Sequence, residues 1–287
     1  MDTRISFNPE LVRKYDLSGP RYTSYPTAVQ FHEGFDQAAY RRHVAASNEA
    51  GRPLSLYLHI PFCDTVCFYC ACNKVITRNR ARSSDYLTGL HREIELQGAL
   101  FDRGRPVEQL HWGGGTPTFI SPEEMGQLMA KTAQHFTLLD DDRGEYSIEV
   151  DPRSVDPAGI ALLRRLGFNR LSIGVQDFDP AVQRAVNRIQ PRAVTLAALD
   201  AARNHGFQSI SVDLIYGLPL QSRDSFARTL AEVVELGPDR LSVFNYAHLP
   251  HMFKTQRRID DAQLPTAETK LEILGDVIEH LTAAGYV

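Results

Sequence analysis

The sequence predicts an α/β protein built on a parallel sheet, a (β/α) barrel or partial barrel. Three observations lead there. Six short runs rich in β-branched and aromatic residues alternate with longer segments of helical periodicity, the helices open on recognisable caps, and polar, glycine-rich or cysteine-rich stretches follow most strands. Strand-then-helix repetition requires crossover connections, which run right-handed and bring ligands to the carboxyl ends of the strands. A doubly wound open sheet obeys the same rule, and pattern alone does not separate the two.

The elements follow in order. Residues 1–50 read as an N-terminal arm and a polar helix, and residues 51–287 as the barrel. Within the arm, PRYTSYPTA (Pro20 to Ala28) holds too much Pro, Thr and Tyr for a regular helix; Tyr22 and Tyr25 either fold over the mouth or anchor the arm to the barrel. The strands are LSLYLHI (54–60), VEQLHW (107–112), YSIEV (146–150), RLSIGV (170–175), SISVDLIY (209–216) and RLSVFNY (240–246). Helices are expected to start at Ser84 and Asp85, at Ser121 and Pro122, at Asp156 and Pro157, and across Ser222 to Ser225.

Composition sets the class. A 287-residue chain with 43% hydrophobic residues is long enough for a sizeable core, and its net charge of -4 gives no field that gathers nucleic acid or anionic lipid. The opening MDTRISFNPELVRKYDLSGP resembles no signal or transit peptide, and no run of about 18 apolar residues follows. A cytoplasmic monomer with no nucleic-acid or membrane partner is expected. There disulfides are rare, and clustered thiols point to metal or redox chemistry.

All four cysteines lie in CDTVCFYCAC, between Cys63 and Cys72. Structural zinc usually takes two separated ligand pairs, whereas here one loop supplies every thiol. With three residues and then two between them, Cys63, Cys67 and Cys70 can wrap one face of a four-iron cluster and leave one iron open to a reactant. A zinc-stabilised binding protein stays open as an alternative. Cys72 is a fourth ligand, a substrate-side group or a packed thiol. Phe62, Phe68 and Tyr69 would wall the cluster with apolar surface. Each further residue at a strand end has a bland reading as an ion pair or a cap, but Glu149, Gln176, Asp213, Tyr216, Asn245 and Tyr246 all fall at one end. His59 and His111 read as hydrogen-bonded core residues.

The C-x3-C-x2-C spacing, with an aromatic before the third cysteine and GGGTPT (Gly113 to Thr118) after the second strand, resembles the radical S-adenosylmethionine superfamily. The stretches PRYTSYPTA, YLHIPFC, CACNKVITR, HWGGGTPT, SIEVDPR, GFNRLSIGVQDF, VDLIYGLP and DRLSVFNYAHLP are similar to its oxygen-independent coproporphyrinogen III oxidase branch, from about residue 15 to Val287. That resemblance implies a partial (β/α)6 barrel and a [4Fe-4S] cluster whose open iron is chelated by S-adenosylmethionine. It implies oxidative decarboxylation of two propionates of coproporphyrinogen III to vinyl groups through a 5'-deoxyadenosyl radical. An electron donor such as flavodoxin or ferredoxin is implied as a partner.

Carried over by position, Cys63, Cys67 and Cys70 match the cluster ligands, and Tyr57, Gly114 and Glu149 match contacts to the cluster-bound S-adenosylmethionine. Tyr69, Gly115, Thr116, Gln176, Arg188, Asp213 and Ala247 match contacts to a second S-adenosylmethionine. Cys72 and Tyr57 are the candidate catalytic side chains. The basic run from Asn73 to Arg82 suits a substrate with four carboxylates, or is a solvated loop. Haem chaperones of the same superfamily are the alternative, but they typically carry an aromatic at the Cys72 position and lack the PRYTSYPTA arm. Family members continue beyond the point matching Val287, so a shortened, inactive form is the other alternative.

Overall fold

Alternation along the strands decides which face of the sheet meets the helices. The computed structural model describes residues 7–15 and 27–287; most of PRYTSYPTA, with Tyr22 and Tyr25, lies outside the described residues. In chain order the elements are α1 (Pro9–Tyr15), α2 (Gln37–Ala50), β1 (Leu54–Ile60), β2 (Phe62–Cys63), β3 (Val75–Ile76), α3 (Ala81–Gly98) and β4 (Pro106–Gly114). There follow α4 (Pro122–His135), β5 (Thr137–Leu138), β6 (Glu145–Val150), α5 (Pro157–Arg165), β7 (Arg170–Gln176), α6 (Pro180–Ala185) and α7 (Arg192–Asn204). The last are β8 (Ser209–Tyr216), α8 (Arg223–Leu236), β9 (Arg240–Asn245) and α9 (Ala267–Ala283).

The six long strands pair in parallel in the order β1-β4-β6-β7-β8-β9, with β5 beside β4 and with β1 and β9 as edges. This is an α/β partial barrel of the expected (β/α)6 kind. Each predicted strand is present to within one or two residues. One face of the sheet is apolar: Leu58, Ile60, Trp112, Ile148, Ile173, Val212 and Leu214 are buried in a core with Leu87, Leu128, Leu163, Leu199, Phe226 and Ile273 of the helices. Burying each such side chain is worth about 1.5–3 kcal/mol relative to exposure. The opposite face is polar. Near the strand starts it lines a cavity of about 360 Å3 with Ser55, Gln109, Ser147, Arg170, Ser211 and Ser242.

Caps fix the helix starts. Ser121 accepts from Glu124 N, and the Glu124 side chain reaches back to the Ser121 amide. Asp156 caps α5 and Ser222 caps α8 through their side chains. The third helix departs from expectation, beginning at Ala81 and not after Ser84. Asn79 Oδ1 takes the Ala81 amide at 3.1 Å, and Arg80 is held by Asp64 and the Phe119 carbonyl, so the chain turns helical a full turn early. The two N-terminal helices dock on the barrel: Asn48 of α2 bonds Leu100 O at 2.9 Å, and Arg13 of α1 pairs with Glu268 of α9 at 2.5 Å. Among the described residues no helix is long and apolar enough to cross a membrane.

Candidate functional site

Many of the polar residues at the carboxyl ends of the strands line one cavity of about 300 Å3. The loop after β1 is closed at its base by the β2–β3 pair, with Val75 N on Pro61 O at 2.7 Å and Thr77 N on Cys63 O at 2.9 Å. Its outer half is tied to the rest of the mouth. Phe68 N bonds Val186 O at 2.9 Å, and Asn187 Nδ2 bonds Val66 O at 2.7 Å. From the other side the fully buried Gln256 donates to Tyr69 O at 2.9 Å and to Ala247 O at 3.2 Å, and its Oε1 accepts from Leu249 N at 2.6 Å.

The four thiols are free, and Cys63, Cys67, Cys70 and Cys72 all line the cavity. Burial pushes Cys63 up to about 11 despite its bond from Thr116 Oγ1 at 3.5 Å. Cys70 and Cys72 form a coupled pair. Proximity to Cys72 lowers Cys70 against the opposing effect of burial, with Lys74 adding to the lowering, and proximity to Cys70 raises Cys72, which is itself exposed. Lys74 Nζ also bonds the carbonyls of Cys70 at 2.8 Å and Cys72 at 3.4 Å.

Glycine clears the opposite wall. Gly114 has φ 120°, and a Cβ there would lie 2.6 Å from the His59 ring. A Cβ on Gly115 would lie 2.5 Å from Pro61 O, a backbone atom that cannot swing away. Glu149 accepts the Gly114 amide at 3.0 Å; burial pushes its carboxyl up, but His111 and that amide outweigh burial and hold it below its ordinary value. Gln176 sits at a bulge against β8 with φ 71°, a left-handed conformation uncommon outside glycine. Asp213, bonded by Ser172 at 2.9 Å, is raised by burial.

Arg188 is 5% exposed, with Nη2 on Gly174 O at 2.7 Å and Nη1 on Asp151 at 3.0 Å. Its Nε is buried with no partner among the described residues. Tyr69 and Thr116 complete the lining. Of the strand-end residues expected at the mouth, Tyr216 and Tyr246 are instead buried in the hydrophobic clusters and Asn245 lies outside the lining; of those matched to cofactor contacts, two stand apart. Tyr57 is 57% exposed on the polar face beside the cavity, stacked on His111 at 5.6 Å and bonded to His59 at 2.9 Å. Ala247 lies on the loop after β9, outside the lining. His59 and His111 are hydrogen-bonded, His59 to Asn73 O at 2.9 Å and His111 to Ser147 and Glu149.

Among the residues of the mouth not singled out by spacing are Asp151, Arg153 and Gln256. Asp151 and Arg153 lie in SIEVDPR directly after β6, so an acid and a base beyond a strand end were the available signal. Gln256 offered none.

The residues fit the groups that the resemblance implies. Among the described residues no three His, Cys, Asp or Glu side chains converge closely enough to hold a single bare ion. The four thiols line one cavity, whose volume of about 300 Å3 leaves room for a group larger than a single ion. The orphaned Arg188 Nε on the cavity wall is a donor left for an acceptor such as a carboxylate. The room kept open by Gly114 and Gly115 admits a ligand against bare backbone.

Residues 57–233 match the family model described as Radical SAM superfamily. Oxygen-independent coproporphyrinogen III oxidase of Pseudomonas aeruginosa is 57% identical over 286 residues, covering 100% of this chain and 62% of its own length. The protein of the same name from Salmonella typhimurium is 52% identical over 285 residues, covering 99% and 61%. The solved structure of coproporphyrinogen III oxidase (HemN) from Escherichia coli, described as a radical SAM enzyme, superposes with a TM-score of 0.92 at 49% identity, covering 99% of this chain and 63% of that one. The chain thus spans about three fifths of the length of the relatives it matches.

Proposed function

The chain belongs to the radical SAM superfamily, and from that membership we propose that it carries the catalytic barrel of an oxygen-independent coproporphyrinogen III oxidase. The reaction is oxidative decarboxylation of two propionates to vinyl groups, giving protoporphyrinogen IX. The observation that carries this reading is the single cavity joining the CDTVCFYCAC thiols to Gly114, Glu149, Gln176, Arg188 and Asp213. Identity of 57% with the Pseudomonas aeruginosa relative supports the choice of substrate.

In this reading Cys63, Cys67 and Cys70 hold the [4Fe-4S] cluster and Cys72 stays a thiol beside it. The spacing supports that division, since Cys63, Cys67 and Cys70 make up the C-x3-C-x2-C set and Cys72 lies outside it. When bound, the cluster and S-adenosylmethionine supply a carbon-centred radical able to take an unactivated hydrogen, which no side-chain base can do. The chain's own residues bind and orient. Glu149, held ionised by His111 and Gly114, suits an ammonium or ribose hydroxyls, and Arg188 Nε suits a carboxylate. Gly115, Thr116, Gln176, Asp213 and Tyr69 form the side of the cavity where a second S-adenosylmethionine is proposed. Tyr57, on the rim with its hydroxyl on His59, faces the substrate side, and Ala247 contributes backbone only.

Arg78 and Arg82, both exposed beside the cluster loop, offer cations to the substrate's carboxylates. Residues 1–50 act as the arm and 51–287 as the catalytic unit, working as a monomer in the cytoplasm with a one-electron donor such as a flavodoxin or ferredoxin. Anaerobic reconstitution followed by an assay for vinyl formation from coproporphyrinogen III tests the reading. Vinyl product with consumption of S-adenosylmethionine is expected. Tight haem binding without decarboxylation would overturn it in favour of a haem carrier.

A further inference from the structure

Cys67 is the one buried thiol of the loop, and two guanidinium groups close on it. Arg153 Nη2 donates to its sulfur at 3.6 Å and Arg188 Nη1 at 3.5 Å. One carboxylate clamps both arginines: Asp151 Oδ2 takes Arg153 Nη2 at 2.6 Å and Arg188 Nη1 at 3.0 Å. Arg153 Nε adds a further bond to Asp151 Oδ1 at 3.0 Å, so the fork is fixed before any ligand arrives. Two cations and one anion leave a net positive charge beside this sulfur. The contrast with its neighbour is chemical, because among the described residues Cys63 receives the neutral Thr116 hydroxyl at 3.5 Å and no guanidinium.

We propose that Arg153, Asp151 and Arg188 form a charge clamp on Cys67 that sets the reduction potential of the cluster. This rests on the reading that Cys67 is a cluster ligand. Cluster potentials follow net charge, hydrogen bonds to the sulfurs and exposure. A donor on a ligating thiolate withdraws electron density from the iron, and buried positive charge favours the added electron. The two arginines therefore raise the potential, and Asp151 lowers it. Arg153 and Asp151 are positioning residues in this role.

Their opposite signs separate tuning from scaffolding. The full chain and its Arg153→Gln, Arg153→Lys and Asp151→Asn variants are reconstituted anaerobically and assayed for iron and sulfide. Each is then titrated by electron paramagnetic resonance, with dithionite giving one electron to the oxidised cluster. Arg153→Gln is expected to make reduction tenfold less favourable, a shift of about -59 mV for one electron. Asp151→Asn is expected to shift the midpoint the other way, and Arg153→Lys to stay near the parent. Variants that load iron fully yet share one midpoint, or that shift in the same direction, overturn the clamp and leave the cluster reading standing. Loss of iron from all three variants but not the parent overturns it equally, in favour of a scaffold. A parent chain that takes up no cluster overturns the ligand reading, and the clamp with it.

Discussion

The polar face of the sheet lines two cavities, one at each end of the strands, and they are built differently. The lower one is floored by short hydroxyls, Ser55, Ser147, Ser211 and Ser242, with a partly exposed Arg170–Glu145 pair at 2.8 Å. The upper one holds a left-handed Gln176, a glycine with backbone in the space of its missing Cβ, and buried carboxylates and guanidiniums. Both come from the same alternating positions of the same strands. Polarity alone does not make a site; conformations and charges that cost free energy, held in place by their neighbours, mark one.

The comparison breaks most sharply at the thiols. Replacing Cys63, Cys67 or Cys70 by Ala is expected to abolish uptake of the roughly four irons per chain, whereas Cys72→Ser retains them. Iron analysis and the visible absorption band check this, and equal loss in all four variants would return Cys72 to the ligand set. Next comes Gly115→Ala, whose Cβ meets Pro61 O at 2.5 Å. It should lower unfolding free energy by roughly 2–3 kcal/mol in urea titration, because two backbone segments must part.

Gln256→Ala strands the Leu249 amide and the carbonyls of Tyr69 and Ala247. A loss of about 1–3 kcal/mol is expected by thermal unfolding, together with poorer cluster loading. Acid should act on the upper end. Asp151 and Glu149 are both held below their ordinary values, so their stabilisation is complete above the ordinary carboxyl range and is lost as pH falls through and below it. Stability of the metal-free chain should drop as pH falls below roughly 4, the raised Asp213 opposing part of the loss, and Glu149→Gln should flatten that limb. The smallest effect belongs to the lower cavity: Ser211→Ala should stay within about 0.5 kcal/mol of the parent in the same urea titration.

The fold was legible because period-two alternation is a local property. RLSIGV and SISVDLIY carry their buried face in every second residue, and both form strands where expected. The start of α3 was misread because Ser84 and Asp85 are good caps in isolation, while Asn79 and Arg80 act through contacts with Ala81, Asp64 and Phe119. At the site, the thiols and glycines were legible through spacing and position. Arg188 was placed on the cavity wall by resemblance, but its engagement with Asp151 and Cys67 depends on chain segments far apart in sequence. Gln256 is the limiting case. A glutamine among polar neighbours has no periodicity and no motif, and only the packed molecule reveals its three bonds.

That glutamine also sets a calendar. Its bond to Tyr69 spans 187 positions, so in a chain emerging from the ribosome the thiol loop is made early and tethered late. Long-range closure of this kind is slow, and a segment waiting for it stays solvated and reactive. Until residue 256 has been made, the thiol loop lacks this tether. Final ordering of the thiol loop is therefore expected to follow closure of the chain around Gln256, not to precede it.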